Sequence, residues 1–302
     1  MFVVAGATGN TGSVIAETLL SRGEKVRVIG RDANRLARFV KKGAEAAVVD
    51  VTDASGLTKA FRGARAVYAL VPPNIGGADI RGYQEAVSDA LASAIDKASV
   101  SHAVILSSYG ADKQAGTGPV VGLHNLEQKL NQIGGLNAVY LRAGYFMENL
   151  LPQVDVIRNF GIVGGPVAAD VRLPMIATCD IGAAAADILL KLDFTGKQSR
   201  ELLGQRDLDC REAASVIGKA IGKPDLAYLQ LPAEQLKPAL TQMGMSPNMA
   251  DLLLEMAGAL NSGHMKALEP RSARNTTPTS LEAFVAEEFV PRFQEKASGA
   301  GV

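Results

Sequence analysis

Several residue types are scarce in this chain, and their scarcity already excludes some classes of protein. The 302 residues contain no Trp, and only 5% of them are aromatic. With just two cysteines, Cys179 and Cys210, a disulfide framework and a Cys-rich metal site are both excluded. The three histidines, His102, His124 and His264, are too scattered to build a site from imidazole ligands. We therefore expect no metal.

An excess of charge of either sign is also missing. The chain has 31 basic and 31 acidic side chains, so its formal net charge is zero. Nucleic acids and anionic membranes attract proteins through broad basic surfaces, which a balanced chain does not provide. We expect neither nucleic acid nor membrane as a partner.

Long apolar runs are absent as well. No stretch reaches the roughly 18 uncharged apolar residues of a membrane span, and the most apolar helical segment, 181–190, is interrupted by Asp187. No basic segment precedes the apolar run that begins at Phe2, which is unlike a secretory signal. These features predict a cytoplasmic protein, and its length suits one large domain or two medium ones.

Short apolar runs alternate with helical patterns through the first half of the chain. Strands are expected at 2–5, 25–30, 46–50, 66–71, 102–107 and 137–141, with helices between them. Near-continuous apolar strands of this kind are typical of a parallel sheet that is covered by helices on both faces. The predicted fold class is α/β, a doubly wound parallel (Rossmann) sheet with a smaller α/β C-terminal cap domain.

The looser pattern after Asn149 gives the expected domain boundaries. The Rossmann domain is predicted to comprise residues 1–152 and 175–195. The cap is predicted to comprise residues 153–174 and 196–294 and to lie beside the carboxyl edge of the sheet. Residues 295–302 are mostly small or polar and are predicted to be a disordered tail.

A glycine-rich loop joins the first strand to the first helix, with the sequence Gly-Ala-Thr-Gly-Asn-Thr-Gly at 6–12. Its three glycines allow a tight turn, close approach of a pyrophosphate to the backbone, and close packing of helix on strand. The helix N-terminus also offers free N–H groups and a partial positive charge to phosphates. We assign to cofactor binding Gly6, Thr8, Gly9, Asn10, Thr11 and Gly12.

The end of the second strand distinguishes NAD from NADP sites. An acidic residue there accepts hydrogen bonds from the ribose hydroxyls, whereas a basic residue meets the 2′-phosphate of NADP. Arg31 can pair with that phosphate, with Arg35 one helical turn further on, although a solvated arginine is the alternative. Asp32 leaves NAD(H) open, so NADP(H) is the preferred cofactor. Asp50, which ends the third strand, can accept from the adenine amino group or cap the next helix.

Three further stretches carry a recognisable signature. Residues 141–149 read Leu-Arg-Ala-Gly-Tyr-Phe-Met-Glu-Asn, and 176–182 and 279–285 also have characteristic sequences. With the Gly-x-x-Gly-x-x-Gly loop, these stretches resemble the NmrA-like family of atypical short-chain dehydrogenase/reductases. Residues 141–149 are similar to the family's Leu-Arg-x-Gly-x-Phe-Met-Glu-Asn signature, and the Phe-Met-Glu-Asn run at 146–149 is its most specific piece. The family often has Pro where Ala143 stands.

The resemblance implies an NAD(P)-binding Rossmann domain with a small cap over the nicotinamide cleft. The family includes NAD(P)H-dependent quinone and dye reductases, and also regulators that bind the dinucleotide as redox sensors. Our leading hypothesis is an NADPH-dependent oxidoreductase, and its rival is a non-catalytic NAD(P) sensor. Epimerase or dehydratase chemistry on nucleotide sugars is disfavoured, because it needs a Tyr/Lys pair on a helix.

The catalytic residues of the better-known short-chain dehydrogenases are only partly matched. Those enzymes use a Ser after the fifth strand, and a Tyr and a Lys four residues apart on the next helix. Ser107 occupies the serine region, and Tyr109 and Lys113 have the four-residue spacing. Residues 110–119 contain three Gly and a Pro, however, and are predicted to form a loop.

Without that pair, reduction of a simple carbonyl lacks its proton donor. The expected acceptor is a quinone or a similarly conjugated compound, whose product anion solvent can protonate while the site supplies proximity and orientation. The candidate auxiliary acids are Tyr109 and His124, the latter with a surface helix position as its alternative.

The carboxyl ends of strands four to six should wall the nicotinamide cleft. Further cofactor contacts are assigned on this basis to Val71, Pro72, Ser107, Gly144 and Phe146. The expected partner is a small-molecule acceptor, and the expected assembly is a monomer or a homodimer.

Overall fold

Parallel strands form the central sheet of the protein. The computed structural model describes residues 1–295. In chain order the strands are β1 (Phe2–Ala5), β2 (Val26–Gly30), β3 (Glu45–Val48), β4 (Ala66–Ala69), β5 (His102–Ser108), β6 (Asn137–Ala143), β7 (Tyr145–Phe146), β8 (Val163–Gly165), β9 (Leu173–Ile176), β10 (Lys197–Leu202), β11 (Asp207–Leu208) and β12 (Tyr228–Gln230).

The main sheet has seven strands in the order β10-β6-β5-β4-β1-β2-β3. Every neighbouring pair in it is parallel. The chain winds outward from β1 in both directions, so the direction of winding reverses between β1 and β4. This confirms the predicted doubly wound, Rossmann-like fold.

Helices connect these strands and cover the sheet. They are α1 (Asn10–Ser21), α2 (Ala33–Val40), α3 (Ala54–Phe61), α4 (Ile80–Lys97), α5 (Val120–Asn131), α6 (Gln153–Phe160), α7 (Thr178–Lys191), α8 (Cys210–Ala220), α9 (Ala233–Gln242), α10 (Pro247–Asn261), α11 (Leu281–Phe284) and α12 (Val290–Gln294). Local sequence sets several starts, because Asp32, Asp53 and Asp79 each accept hydrogen bonds from backbone N–H groups in the first turn that follows.

Apolar side chains pack on both faces of the main sheet. Phe2 and Val4 of β1 join a cluster with α1, α2 and α7, whereas Val3 and Ala5 join a cluster with α3, α4 and α5. Successive side chains of a strand point to opposite faces. Because both faces are buried, the central strands consist of continuous apolar runs, which is the pattern in the sequence.

A third apolar cluster supports the smaller C-terminal region. It joins the segment after β5 to α6, α8, α10 and the closing helices. Two short sheets, β11-β9-β7 and β12-β8, lie in the same region. The hydrogen bond from Ser246 N–H to the carbonyl of Ile75 brings the start of α10 against the loop after β4. The cap therefore contacts the carboxyl edge of the sheet.

The predicted cap boundary at residue 196 does not match the sheet. Strand β10 pairs with β6 from Lys197↔Ala138 to Leu202↔Ala143 and is the outer strand of the main sheet. Its sequence, Lys-Gln-Ser-Arg-Glu-Leu, is largely polar and only its last two residues are buried. An edge strand needs less apolar surface than a central one, and the sequence pattern therefore indicated only an extended segment at residues 200–203, without its place in the main sheet.

Two further features concern the described residues as a whole. Across residues 1–295, no helix has the length and apolar character needed to cross a membrane. The same part of the chain contains no group of three or more His, Cys, Asp or Glu side chains arranged to hold a metal ion. Apart from Glu295, the predicted tail at 295–302 lies outside the described residues.

Close packing at Gly144 leads to a prediction about stability. A Cβ at this position would lie 2.2 Å from the carbonyl oxygen of Pro174. We expect Gly144→Ala to lower the free energy of unfolding by about 2–3 kcal/mol, because backbone atoms cannot yield to the added methyl group. Urea unfolding followed by circular dichroism measures this loss.

The matched control is Gly258→Ala in α10. A Cβ there meets nothing within 4 Å, and replacing a helical glycine should stabilise the protein by up to about 1 kcal/mol. Similar effects of the two substitutions would contradict the steric explanation.

Candidate functional site

The glycine loop leaves the first turn of α1 open. Gly6 has a positive φ of 66°, and its carbonyl accepts a hydrogen bond from Gly9 N–H at 2.9 Å. A Cβ on Gly12 would lie 2.3 Å from that same carbonyl oxygen, so only glycine lets the helix start this close to β1. No side chain caps α1, and no acidic residue lies in its first turn. The N–H groups of Asn10 and Thr11 are thus available to an anion.

A buried hydrogen bond between Thr11 and Tyr68 anchors the same loop to β4. Thr11 Oγ1 lies 2.7 Å from the hydroxyl of Tyr68, a fully buried residue of β4. Burial raises the pKa of Tyr68, although the bond to Thr11 opposes this rise. The Thr11 hydroxyl is therefore engaged in a structural hydrogen bond. The backbone N–H of Thr11 is the group that remains available at the N-terminus of α1.

Two arginines lie beside the loop. Arg35 Nη2 donates to the carbonyl of Thr8 at 3.2 Å, which braces the turn. Arg31 is exposed, and no hydrogen bond or ion pair within residues 1–295 engages its guanidinium. Asp32 accepts from Asn34 N–H at 2.8 Å and caps α2. One oxygen of the acidic side chain at this strand end is therefore engaged by the helix, while the basic side chain is free.

Asp50 lies near Arg31, because Val49 N–H donates to the Gly30 carbonyl across β2 and β3. Its Oδ1 accepts from both the N–H and the hydroxyl of Thr52, at 2.9 and 2.7 Å. These bonds lower the pKa of Asp50, and Arg31 adds to the lowering. Asp53, not Asp50, caps α3.

Tyr83 on α4 also belongs to this corner of the site and was not predicted. Burial raises the pKa of Tyr83, the charge of Asp50 adds to the rise, and Arg31 opposes it. Its position in the first turn of the helix after β4 is the only sequence signal that could have identified it.

Val71 and Pro72 follow β4 after Leu70 and are half-buried. Their loop continues to Ile75, whose carbonyl accepts the Ser246 N–H at 2.8 Å. These two residues therefore lie where the cap approaches the sheet edge.

Ser107 belongs to a buried polar cluster at the end of β5. Its hydroxyl donates to Glu127 Oε1 at 2.6 Å, and Arg142 donates to both oxygens of the same carboxylate, at 3.1 and 2.5 Å. Glu127 is 2% exposed. Burial acts against the charged form of Arg142, but the hydrogen bond and charge of Glu127 outweigh it, so the pKa of Arg142 is raised. The Ser107 hydroxyl therefore donates to Glu127 and is not free to donate to a ligand.

Tyr109 lies just beyond that cluster. It is 4% exposed, and its hydroxyl has no hydrogen-bond partner in the described part of the chain. Lys113 does not approach it as a partner but pairs with Asp112 at 2.8 Å. The segment from Gly110 to Pro119 forms turns and bends, as the loop prediction requires.

His124 is half-buried on α5 and faces this loop. Its Nδ1 lies 2.8 Å from the carbonyl of Ala111. Nδ1 therefore carries the hydrogen, and in the neutral ring Nε2 is left as an acceptor. His124 fixes the loop that follows Tyr109.

The 141–149 signature connects the sheet to the cap. Gly144 N–H donates to the Leu202 carbonyl at 2.9 Å, and Phe146 pairs with Ile176 across β7 and β9. Glu148 Oε1 accepts from Thr178 N–H at 2.9 Å and from the Thr178 hydroxyl, so it caps α7. The sequence analysis assigned no role to Glu148, because its partner is 30 residues away.

The fold and the site together define a class of protein. A doubly wound parallel sheet carries a glycine loop and an uncapped helix N-terminus at its carboxyl edge, with a smaller region packed against that edge. This is a Rossmann-type α/β protein. The model of the NmrA-like family matches residues 1–289, and the chain belongs to that family.

Sequence comparison finds a curated relative of known activity. The chain is 28% identical over 260 residues to an NAD(P)H azoreductase of Xenophilus azovorans, covering 85% of this chain and 86% of the azoreductase.

Solved structures share the fold. An NADPH-dependent quinone oxidoreductase of Escherichia coli, complexed with NADPH, superposes with a TM-score of 0.80 at 23% identity over 95% of this chain and 99% of that one. A nucleoside-diphosphate-sugar epimerase of Staphylococcus aureus also has a TM-score of 0.80, at 20% identity and with the same coverage of each chain.

The buried cluster around Glu127 predicts a large loss on substitution. We expect Glu127→Ala to lower the free energy of unfolding by about 3–5 kcal/mol, because Arg142 would be left buried without its counter-charge. Chemical denaturation measures the effect. As a control, Asp89→Ala removes an exposed carboxylate that pairs with Lys129 and should change stability by no more than about 0.5 kcal/mol. A loss below about 1 kcal/mol for Glu127→Ala would contradict the importance of the cluster.

Proposed function

We propose that the protein is an NADP(H)-dependent oxidoreductase that passes a hydride to a quinone or a similarly conjugated acceptor. The observation that carries the proposal is the open N-terminus of α1 beside a free arginine, with one oxygen of the nearest acidic side chain engaged as a helix cap. The azoreductase relative and the quinone oxidoreductase of like fold support the same class of activity.

The residues at the sheet edge fit a phosphorylated dinucleotide. The first-turn N–H groups of α1 would hold the pyrophosphate, with Gly9 leaving room for it. Arg31 would pair with the 2′-phosphate while Arg35 braces the loop, and the free oxygen of Asp50 would accept from the adenine amino group. Asp32 has one oxygen engaged as the N-cap of α2 and offers only the second to a ribose hydroxyl, whereas the Arg31 guanidinium is free to meet a 2′-phosphate, which favours NADP(H) over NAD(H).

The remaining residues orient the acceptor and control protons. The bound cofactor supplies the hydride. Val71 and Pro72 would wall the cleft, and the hydrogen bond from Ser246 N–H to the Ile75 carbonyl would keep the cap beside it, which would limit the access of water. Since Ser107 donates to Glu127, its proton is unavailable to an acceptor.

The scarcity of free proton donors favours acceptors that need none for the hydride step. Reduction of a conjugated ring yields a stabilised anion, which solvent can protonate. Tyr109 and His124 are the auxiliary groups nearest the end of β5. Of these, His124 presents Nε2, which can donate only when the ring is protonated.

The proposal is tested by titrating the protein with NADPH and then following NADPH absorbance with a panel of quinones and conjugated dyes. We expect saturable binding and oxidation of NADPH with at least one quinone. Tight NADPH binding with no oxidation across the panel would instead support a non-catalytic redox sensor. In that case, protein partners that differ between the NADP-bound and the free protein would be the next observation to seek.

Cofactor preference gives a second prediction. Arg31→Ala should weaken NADPH binding by about 10- to 100-fold, because a charge-assisted contact to the 2′-phosphate is lost. Binding of NADH, which lacks that phosphate, should change less than about threefold. Arg38→Ala is the matched control, since Arg38 is an exposed arginine of α2, the helix that follows Arg31, and its guanidinium lies over the Phe39 ring. Equal losses for NADPH and NADH would mean that Arg31 does not recognise the phosphate.

A further inference from the structure

Helix α10 of the cap contacts two neighbouring loops at the carboxyl edge of the sheet. We call residues 70–79, between β4 and α4, the β4 loop, and residues 109–119, between β5 and α5, the β5 loop. Strands β4 and β5 are parallel neighbours in the main sheet, so the two loops leave the same edge side by side. Ligands of doubly wound sheets bind in the crevice outside this edge. The two loops are therefore adjacent walls of the proposed cofactor cleft.

The first turn of α10 is bonded to the end of the β4 loop. Asn248 Oδ1 accepts a hydrogen bond from Ile80 N–H at 2.9 Å. Ile80 is the first residue of α4, so its N–H has no acceptor within that helix. The N-cap Asp79 accepts from the N–H of Gly82 and not from that of Ile80. A side chain of the cap therefore binds the N–H that ends the β4 loop, although 168 residues separate the two in the chain.

The middle of α10 and the turn after it pack against the β5 loop. A Cβ on Gly118 would lie 2.0 Å from the Leu252 carbonyl oxygen. A Cβ on Gly110 would lie 2.8 Å from Met265 Cγ, just beyond the end of α10. Atoms packed this closely leave the β5 loop no room to move toward the helix. One helix of the cap and its following turn therefore lie against both walls of the cleft.

Another face of α10 is loosely packed. Pro247, Asp251 and Leu254 line a groove of about 690 Å³ between α10 and α9, and their spacing of four and three residues places them on one side of the helix. Asp251 pairs with Lys237 of α9 at 2.6 Å, but both side chains are exposed, and such pairs stabilise little. Helix α9 itself buries only Leu236. It therefore contributes little to the position of α10, which depends on the contacts of the other faces.

We propose that Asn248 is a positioning residue for hydride transfer. Its hydrogen bond to Ile80 N–H couples α10 to the β4 loop, and because α10 also packs on the β5 loop, the two walls of the cleft keep a fixed separation. This inference rests on the proposed function and adds to it a cap residue that acts through the β4 loop. That loop carries Val71 and Pro72 at the proposed nicotinamide end. Reacting groups misplaced by about 1 Å can lose about 100-fold in rate.

The test compares Asn248→Ala with Asn248→Asp by following the oxidation of NADPH by 1,4-naphthoquinone. We expect Asn248→Ala to lower kcat about 10- to 100-fold, because the β4 loop no longer positions the nicotinamide. NADPH affinity should stay within about threefold, since the phosphates are held at α1 and Arg31. Asn248→Asp keeps an oxygen acceptor at a helix N-terminus, where negative charge is favourable, and should keep kcat within about twofold of the wild type.

Asp251→Ala is the matched control, because Asp251 lies on the same helix but lines the groove. The substitution removes the exposed ion pair with Lys237 and should leave kcat within about twofold of the wild type. A lower Tm for Asn248→Ala with an unchanged kcat would mean that the bond only stabilises the fold, and overturns the proposal. Equal losses of kcat in Asn248→Ala and Asp251→Ala, or the same loss in Asn248→Asp, overturn it as well.

Hydrogen exchange of the β4 loop distinguishes failure of this proposal from failure of the proposed function, because it needs no turnover. Backbone amides in residues 71–80 should exchange about tenfold faster in Asn248→Ala than in the wild type or Asp251→Ala, since a hydrogen bond that closes the loop is lost. If the wild type binds NADPH but reduces no acceptor, the oxidoreductase proposal fails, while faster exchange still supports the coupling of α10 to the loop. Unchanged exchange in residues 71–80 overturns the coupling, whatever the activity.

Discussion

The contact between the backbone of α1 and the end of β1 sets the geometry of the whole site. Helix and strand meet at Gly6 and Gly12 with no room for a single methyl group between them. This contact aims the first turn of the helix along the carboxyl edge of the sheet. Gly182 has the same role between α7 and α1. A Cβ at this position would lie 2.9 Å from the Thr11 carbonyl oxygen, so α7 could not pack this closely on α1. Direct contacts between backbone atoms fix the relative position of these elements more firmly than contacts between flexible side chains would.

Much of this architecture is readable from the sequence, because its causes are local. Buried central strands must be largely apolar, so β1, β4, β5 and β6 could be located from their apolar runs. The glycine loop could be identified because strand, turn and helix signals coincide within residues 2–21. In the same way, Arg31 follows the second strand directly, so its place at the sheet edge needs no tertiary information.

Other features could not be predicted, because they depend on residues far apart in the chain. Strand β10 is polar and becomes a strand only through its pairing with β6. Helix α9 buries only Leu236 and contains Pro238, so it lacks an apolar stripe. Glu127 has an ordinary surface-helix sequence context, and only the fold brings Ser107 and Arg142 to it. The same holds for Glu148, which belongs to the family signature and whose Oε1 caps a helix that begins 30 residues later.

The bond between Asp32 and Asn34 has an evolutionary consequence. Asp32 Oδ1 holds the start of α2, which leaves the second oxygen for a sugar hydroxyl. Replacing Asp32 would also remove the N-cap, and losing an N-cap costs a helix about 1 kcal/mol. Ligand preference and folding are therefore linked at a single side chain, so a substitution of Asp32 that alters the preference also lowers the stability of α2.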